Sequence, residues 1–182
     1  MTSNGWMGAS DGALHQLSSD GSGWQIVADA GASDWPEGTP TCGEQVGAIL
    51  MLCIDDGGVA RFDLGITTGS GVLSPWSSST GLHSNRITDL LHEGNMLYIA
   101  SADSGVARYE TGTGQWMATW TTGNWLLSDR VPSLAVGSTH LHILSDTTVQ
   151  FYDLASGTFV GGLPLEDAGL VGDAGERLVR WE

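Results

Sequence analysis

The chain has 182 residues, enough for one sizeable core and too few for two comfortable domains. Its formal net charge is −15 and all six of its basic residues are arginine, so the basic footprint that nucleic acid requires is absent and an anionic membrane surface is disfavoured. The acidity has two readings, solubility through self-repulsion or a surface that attracts a cationic ligand.

No run of 18 apolar residues marks a membrane span, and Met1 to Ser10 lack the basic and apolar regions of a signal peptide. The chain therefore reads as cytosolic, or as a mature or excised piece of a secreted protein. Twenty-seven glycines and only 5 prolines argue against a Pro-rich disordered chain. Eight tryptophans need a core or a surface to sit against.

A short pattern punctuates the chain. Gly12-Ala13-Leu14-His15-Gln16-Leu17 is its first copy, and Gly58-Val59-Ala60-Arg61-Phe62-Asp63 follows 46 residues later. Gly105-Val106-Ala107-Arg108-Tyr109-Glu110 comes after a further 47, and Thr148-Val149-Gln150-Phe151-Tyr152-Asp153 after a further 43. Such spacing suits a four-stranded propeller blade, whose usual period is about 40–50 residues. The third unit shows the strands. Ile87 to His92 is the first, then a Glu93-Gly94-Asn95 turn and the apolar run Met96 to Ala100, expected of a strand covered on both faces. Ala102 to Gly105 turns, Val106 to Glu110 alternates, Thr111 to Gly114 turns, and Gln115 to Thr121 is a fourth, outer strand. No segment keeps a helical period.

The first unit begins at its second strand, with Gly5 to Gly12 in the place of Met96 to Gly105. Glu176 to Glu182 reads as a lone first strand that completes the N-terminal blade and closes the ring, removing exposed sheet edges. The expected fold is thus one all-β propeller of four-stranded antiparallel blades, with units at about 176–182 plus 1–30, 31–80, 81–124 and 125–170. Two rivals stay open, an excised part of a larger propeller and a ring of eight blades built from two chains.

Leu82-His83-Ser84-Asn85-Arg86-Ile87 and Leu127-Ser128-Asp129-Arg130-Val131, together with Asn4 to Gly12 and Gly105 to Glu110, resemble the two-component regulator propeller repeat, a relative of the PQQ-like and WD40 repeats. The resemblance covers most of the chain. It implies a propeller fold and, as a role, an extracytoplasmic sensor or ligand-binding region. Thr111-Gly112-Thr113-Gly114-Gln115-Trp116 is similar to the docking motif of quinoprotein blades, read here as inter-blade packing with no cofactor expected.

The remaining chemistry is sparse. His140 and His142 share one side of a strand without a recognisable third metal ligand. Asp55-Asp56-Gly57 and Asp103-Ser104-Gly105 lie at the same turn of successive units and lack the alternating oxygen ligands of a calcium loop. No nucleophile elbow or phosphate loop is present, so the chain is expected not to be an enzyme. The less favoured catalytic reading is a lyase or glycosidase using Asp34, Glu37 or Asp129.

The leading expectation is a binding or sensor module that meets a protein, peptide or carbohydrate through the loops joining each outer strand to the next inner one. These loops are Ala30 to Thr41, Ser78 to Arg86, Thr121 to Arg130 and Leu163 to Arg177. Trp35, His83 and Trp125 are their candidate ligand-facing rings, or alternatively caps on the blade ends. Arg86, Arg130 and Arg177 precede three inner strands and read either as an anion-binding ring or as a blade-to-blade latch; Arg86 and Arg130 join the candidate ligand-binding set. The second reading is a structural, self-associating propeller.

Cys42 and Cys53 are the only cysteines. Aligning Gly58 with Gly105 sets them at the places of Asp89 and Ala100, on antiparallel neighbours within a residue of being directly opposite. Cross-strand neighbours come close enough for a disulfide. The expectation is a Cys42–Cys53 bond and an oxidising, extracytoplasmic home, against the alternative of two buried thiols in the cytosol.

Overall fold

A computed structural model of the chain describes residues 6–8, 14–17, 21–28, 35–65 and 71–166. All their regular structure is β. The strands are β1 (Trp6–Gly8), β2 (Leu14–Leu17), β3 (Trp24–Ala28), β4 (Pro40–Val46), β5 (Ile49–Ile54), β6 (Gly58–Asp63), β7 (Val72–Trp76), β8 (Ile87–Glu93), β9 (Met96–Ser101), β10 (Val106–Glu110), β11 (Gln115–Trp120), β12 (Ser133–Val136), β13 (His140–Leu144), β14 (Thr148–Asp153) and β15 (Thr158–Pro164). They form a three-stranded sheet, β1-β2-β3, and three four-stranded sheets, β4-β5-β6-β7, β8-β9-β10-β11 and β12-β13-β14-β15. Within each sheet every strand pairs with its neighbour in the chain, antiparallel throughout. The closing strand expected at 176–182, and Arg177 with it, lie outside the described residues.

The chain divides into two compact units, Met1–Arg86 and Ile87–Glu182. In each unit the second strand of a four-stranded sheet is the core. β5 is intermediate then buried at five successive positions, and β9 repeats that pattern. Both carry the uninterrupted apolar run of a strand covered on two faces. Outer strands are wetter, as in β15, where only Phe159 is partly covered.

The hairpin between β8 and β9 is one residue tighter than its sequence suggests. Only Gly94 and Asn95 turn, with Gly94 at φ +60°, and Glu93 pairs with Met96. Two-residue loops with glycine first match the strand twist. Asp89 consequently faces Ala100 directly, and the equivalent Gly47-Ala48 hairpin sets Cys42 directly opposite Cys53. The two cysteines are disulfide-bonded with Cα atoms 5.0 Å apart, as expected.

Within the second unit the inner strands of adjacent sheets are tied by side chains. Asp89 on β8 accepts from Ser133 Oγ at 2.9 Å and from the Leu134 N–H at 2.8 Å. Thr88 Oγ1 donates to the Val131 carbonyl at 2.5 Å, and the Val131 N–H donates to Ser101 at 2.9 Å. The repeat position occupied by Asp89 is a disulfide cysteine, Cys42, in the preceding sheet. One sheet staples its own strands there, whereas the next reaches for its neighbour.

Under reductant the intact mass should rise by the pair of hydrogens of the Cys42–Cys53 bond. The Cys42→Ser/Cys53→Ser variant should lose about 3 kcal/mol in urea denaturation, the expectation for so short a closed loop. A mass that reduction leaves unchanged would show free thiols.

Candidate functional site

Two of the connecting loops, residues 77–86 and 121–130, share one framework built by their common residues. Leu82 and Leu126 are buried plugs at 4% and 5% exposure. The N–H of each bonds back to the start of its loop, to Ser77 at 3.1 Å and to Thr121 at 2.9 Å. Ser84 and Ser128 hydroxyls accept from the Arg86 and Arg130 N–H groups at 2.9 and 3.1 Å. Asn85 Oδ1 and Asp129 Oδ1 accept from the N–H of Ser78 and Thr122 at 2.6 and 2.7 Å. The backbone carbonyls of Asn85 and Asp129 in turn accept from Gly58 and Gly105 at 3.0 and 2.8 Å. Those two glycines stand at φ +83° and +75°, and a Cβ on either would strike the carbonyl of Trp76 or Trp120. Glycine is required there on both counts.

This framework corrects two sequence expectations. Leu126, not Leu127, occupies the place of Leu82, so Leu127 is the outward-facing residue of its loop. Trp35 stands 47 positions before Leu82 in the repeat and does the same job. It is 5% exposed and packs with Leu14, Leu50, Leu52 and Phe62. Its indole is a core plug rather than a ligand-facing ring.

Trp125 and Leu127 are 59% and 66% exposed. They are nevertheless fixed in place, because Gln150 of β14, itself 6% exposed, clamps the backbone on both sides. Its Oε1 accepts from the Leu127 N–H at 2.8 Å and its Nε2 donates to the Trp125 carbonyl at 3.2 Å. The Trp125 ring lies parallel to Phe159, centroids 6.0 Å apart at 9°. In the 77–86 loop the corresponding positions are Gly81 and His83, and where Gln150 stands the first repeat has Leu14 and the second and third have Ala60 and Ala107. Three contacting positions thus leave the repeat pattern together. Sequence reading singled out Trp125 but not Leu127 or Gln150; the signal for Gln150 was a polar residue at the place of two buried alanines.

The other candidates are placed within their own units. His83 is exposed on its loop. Arg86 meets Asp56 at 3.7 Å with both side chains largely exposed, and Arg130 pairs with Asp146. Exposed pairs of this kind are worth about 0–1 kcal/mol. His140 Nε2 lies 3.5 Å from Asp153, while His142 packs edge-on to Phe151. Burial, then the neighbouring His140, holds the His142 pKa below its usual value. Glu37 is exposed, Asp129 is occupied with Thr122, and Asp34 lies outside the described residues.

The repeated arginines before the outer strands β7 and β11 also have a shared task that the sequence reading missed. Arg61 donates from Nε and one terminal nitrogen to the Ser74 carbonyl at 3.0 and 2.7 Å and covers Trp76, 4.6 Å from its centroid. Arg108 does the same to Ala118, at 3.0 and 2.8 Å, and covers Trp120 at 4.4 Å. Such cation–π contacts contribute about 0.5–2 kcal/mol. Trp120 is also the hub of an aromatic cluster with Tyr98, Tyr152 and Phe159, at centroid distances of 5.7, 4.5 and 5.0 Å. Burial, and then Tyr152, push the Tyr98 phenol up to about 12.

No family model and no curated protein matches the sequence. Among solved structures, the chain is similar to the computationally designed Ika8 protein at 18% identity and a TM-score of 0.64, over 90% of this chain and 46% of that one. It is similar to the extracellular domain of the putative one component system BT4673 from B. thetaiotaomicron at 16% identity and a TM-score of 0.66, over 86% of this chain and 20% of that one. BamB from Moraxella catarrhalis matches at 16% identity and a TM-score of 0.58, over 88% and 49%. The chain spans about half the length of Ika8 and BamB and a fifth of BT4673. At these identities the likeness is one of fold. The class is β-propeller, an all-β chain of antiparallel blades.

Gln150→Ala should destabilise the protein by about 1–3 kcal/mol through the unpaired backbone groups it leaves, whereas Trp125→Ala should stay within about 0.5 kcal/mol of wild type, as surface changes do; urea denaturation reads both. The raised Tyr98 pKa predicts alkaline weakening. Between its ordinary value near 10 and about 12 the unfolded chain has lost the proton that the folded chain keeps, so stability falls as pH rises through that window. Absorbance titration at 295 nm should show one phenol ionising late, and Tyr98→Phe should remove that phase.

Proposed function

We propose that the chain is a non-catalytic, sensor-type propeller module that recognises a protein, peptide or carbohydrate through its inter-blade loops, in an extracytoplasmic compartment. The observation that carries this reading is the exposed Trp125–Leu127 pair held outward by a buried glutamine. Large apolar residues held outward at a fixed geometry leave apolar surface in water, and they suit recognition by reducing the ordering cost of binding. His83, Arg86 and Arg130 are further exposed side chains of these loops that a ligand would meet. The Cys42–Cys53 bond supports the oxidising compartment, and the fold likeness to an extracellular domain agrees with it.

A second reading, a structural module in which two copies build one larger ring, draws on the match to about half of Ika8 and of BamB. Light scattering across a concentration series separates the two readings, because a strict monomer removes the ring of two chains.

The binding reading is tested by probing peptide and glycan arrays with the protein. Any specific hit should weaken at least tenfold on Trp125→Ala, about 1.4 kcal/mol, with the unfolding midpoint unchanged. Hits that ignore Trp125, His83, Arg86 and Arg130 alike would move recognition away from these loops.

A further inference from the structure

Resting on the binding reading above, we infer that the Trp125–Leu127 platform docks a cationic segment of a partner protein. One apolar side chain of that segment covers the platform while lysines or arginines beside it meet the surrounding carboxylates. The platform itself is apolar and outward, with Trp125 at 59% and Leu127 at 66% exposure.

The polar groups of the loop decide between a sugar and a peptide. Asp129 accepts from both the N–H and the hydroxyl of Thr122, at 2.7 and 2.8 Å. Asn124 bonds the Thr121 N–H and the Thr119 carbonyl, both at 2.8 Å. Gln150 is committed to its two backbone bonds. Sugar recognition needs directional bonds to hydroxyls, and these side chains are already directed inward to the loop. What remains for a partner is apolar contact and charge.

The charge is negative. Asp129 follows Leu127 by two residues, and Asp146 and Glu166 stand at one end of the same sheet, where the Leu165 N–H bonds Thr147 at 3.0 Å. Among the described residues Arg130 opposes them there, through Asp146. A second copy of the chain would bring another −15 charges to the contact, so self-association through this patch works against long-range repulsion. A cationic partner gains from the same field.

Isothermal titration with three probes tests this: a twelve-residue synthetic peptide of lysine, tryptophan and leucine, its counterpart with glutamate for every lysine, and a neutral hexasaccharide such as cellohexaose. The lysine peptide should bind, weaken as salt is raised, and bind at least tenfold more weakly to Trp125→Ala/Leu127→Ala. That variant leaves the charge untouched, so attraction by diffuse charge alone would be unchanged by it and would overturn the inference. Equal binding of the glutamate peptide, or Trp125-dependent binding of the sugar alone, would overturn the cationic partner and leave the binding reading standing. If none of the three probes, nor any array hit, responds to the double variant, both fall.

Discussion

The structure depends most on a backbone hydrogen bond made in the second and third repeats, from the glycine at the turn between the second and third strands to the loop that leads out of the sheet. Gly58 donates to Asn85 and Gly105 to Asp129. The bond needs a left-handed glycine pressed against a tryptophan carbonyl, and it needs the loop carbonyl delivered by the Leu-Ser-Asn/Asp framework. Where it forms, the loop is no longer a flexible connection but a continuation of the sheet. The outward residues of that loop, Trp125 and Leu127 among them, inherit the rigidity of the blade.

The repeated residues and the departures from them do different work. Arg61 and Arg108 lie over Trp76 and Trp120 in the same way and close the outer strand onto the third strand. The fourth repeat has Phe151 at that position and a glutamine at the one before it. The position of Cys42, Asp89 and Ser133 behaves similarly, serving as a staple in one sheet and as the two ends of an inter-sheet bond in the next. Identical backbone geometry thus carries unequal chemistry, and that inequality singles out one loop.

Strand positions and the pairing of the cysteines were legible in the sequence because both follow from period and spacing, which are local properties. The hairpin at Gly94-Asn95 was read one residue too long, and this left Asp89 and Ala100 a residue out of register. The site was less legible. A tryptophan in a loop looks alike whether it plugs a core, as Trp35 does, or faces water, as Trp125 does; the difference lies in what it packs on. Gln150 acts on a loop 23 residues away in sequence, a relation no window of strand periodicity contains. The spacing of 47 residues that joins Trp35 to Leu82 was available, and it is the repeat rather than residue type that carries the distinction.

The directly opposed pairing of Cys42 and Cys53 has a consequence for how the chain reaches this structure. Side chains alternate faces along a strand, so a slip of one residue between β4 and β5 would turn the two sulfurs to opposite sides of the sheet. Only the native alignment brings them together. Oxidation therefore acts as a covalent record of correct strand alignment, written once during folding. It is written in the sheet whose inner strand has a cysteine where the next sheet uses Asp89 to find its neighbour.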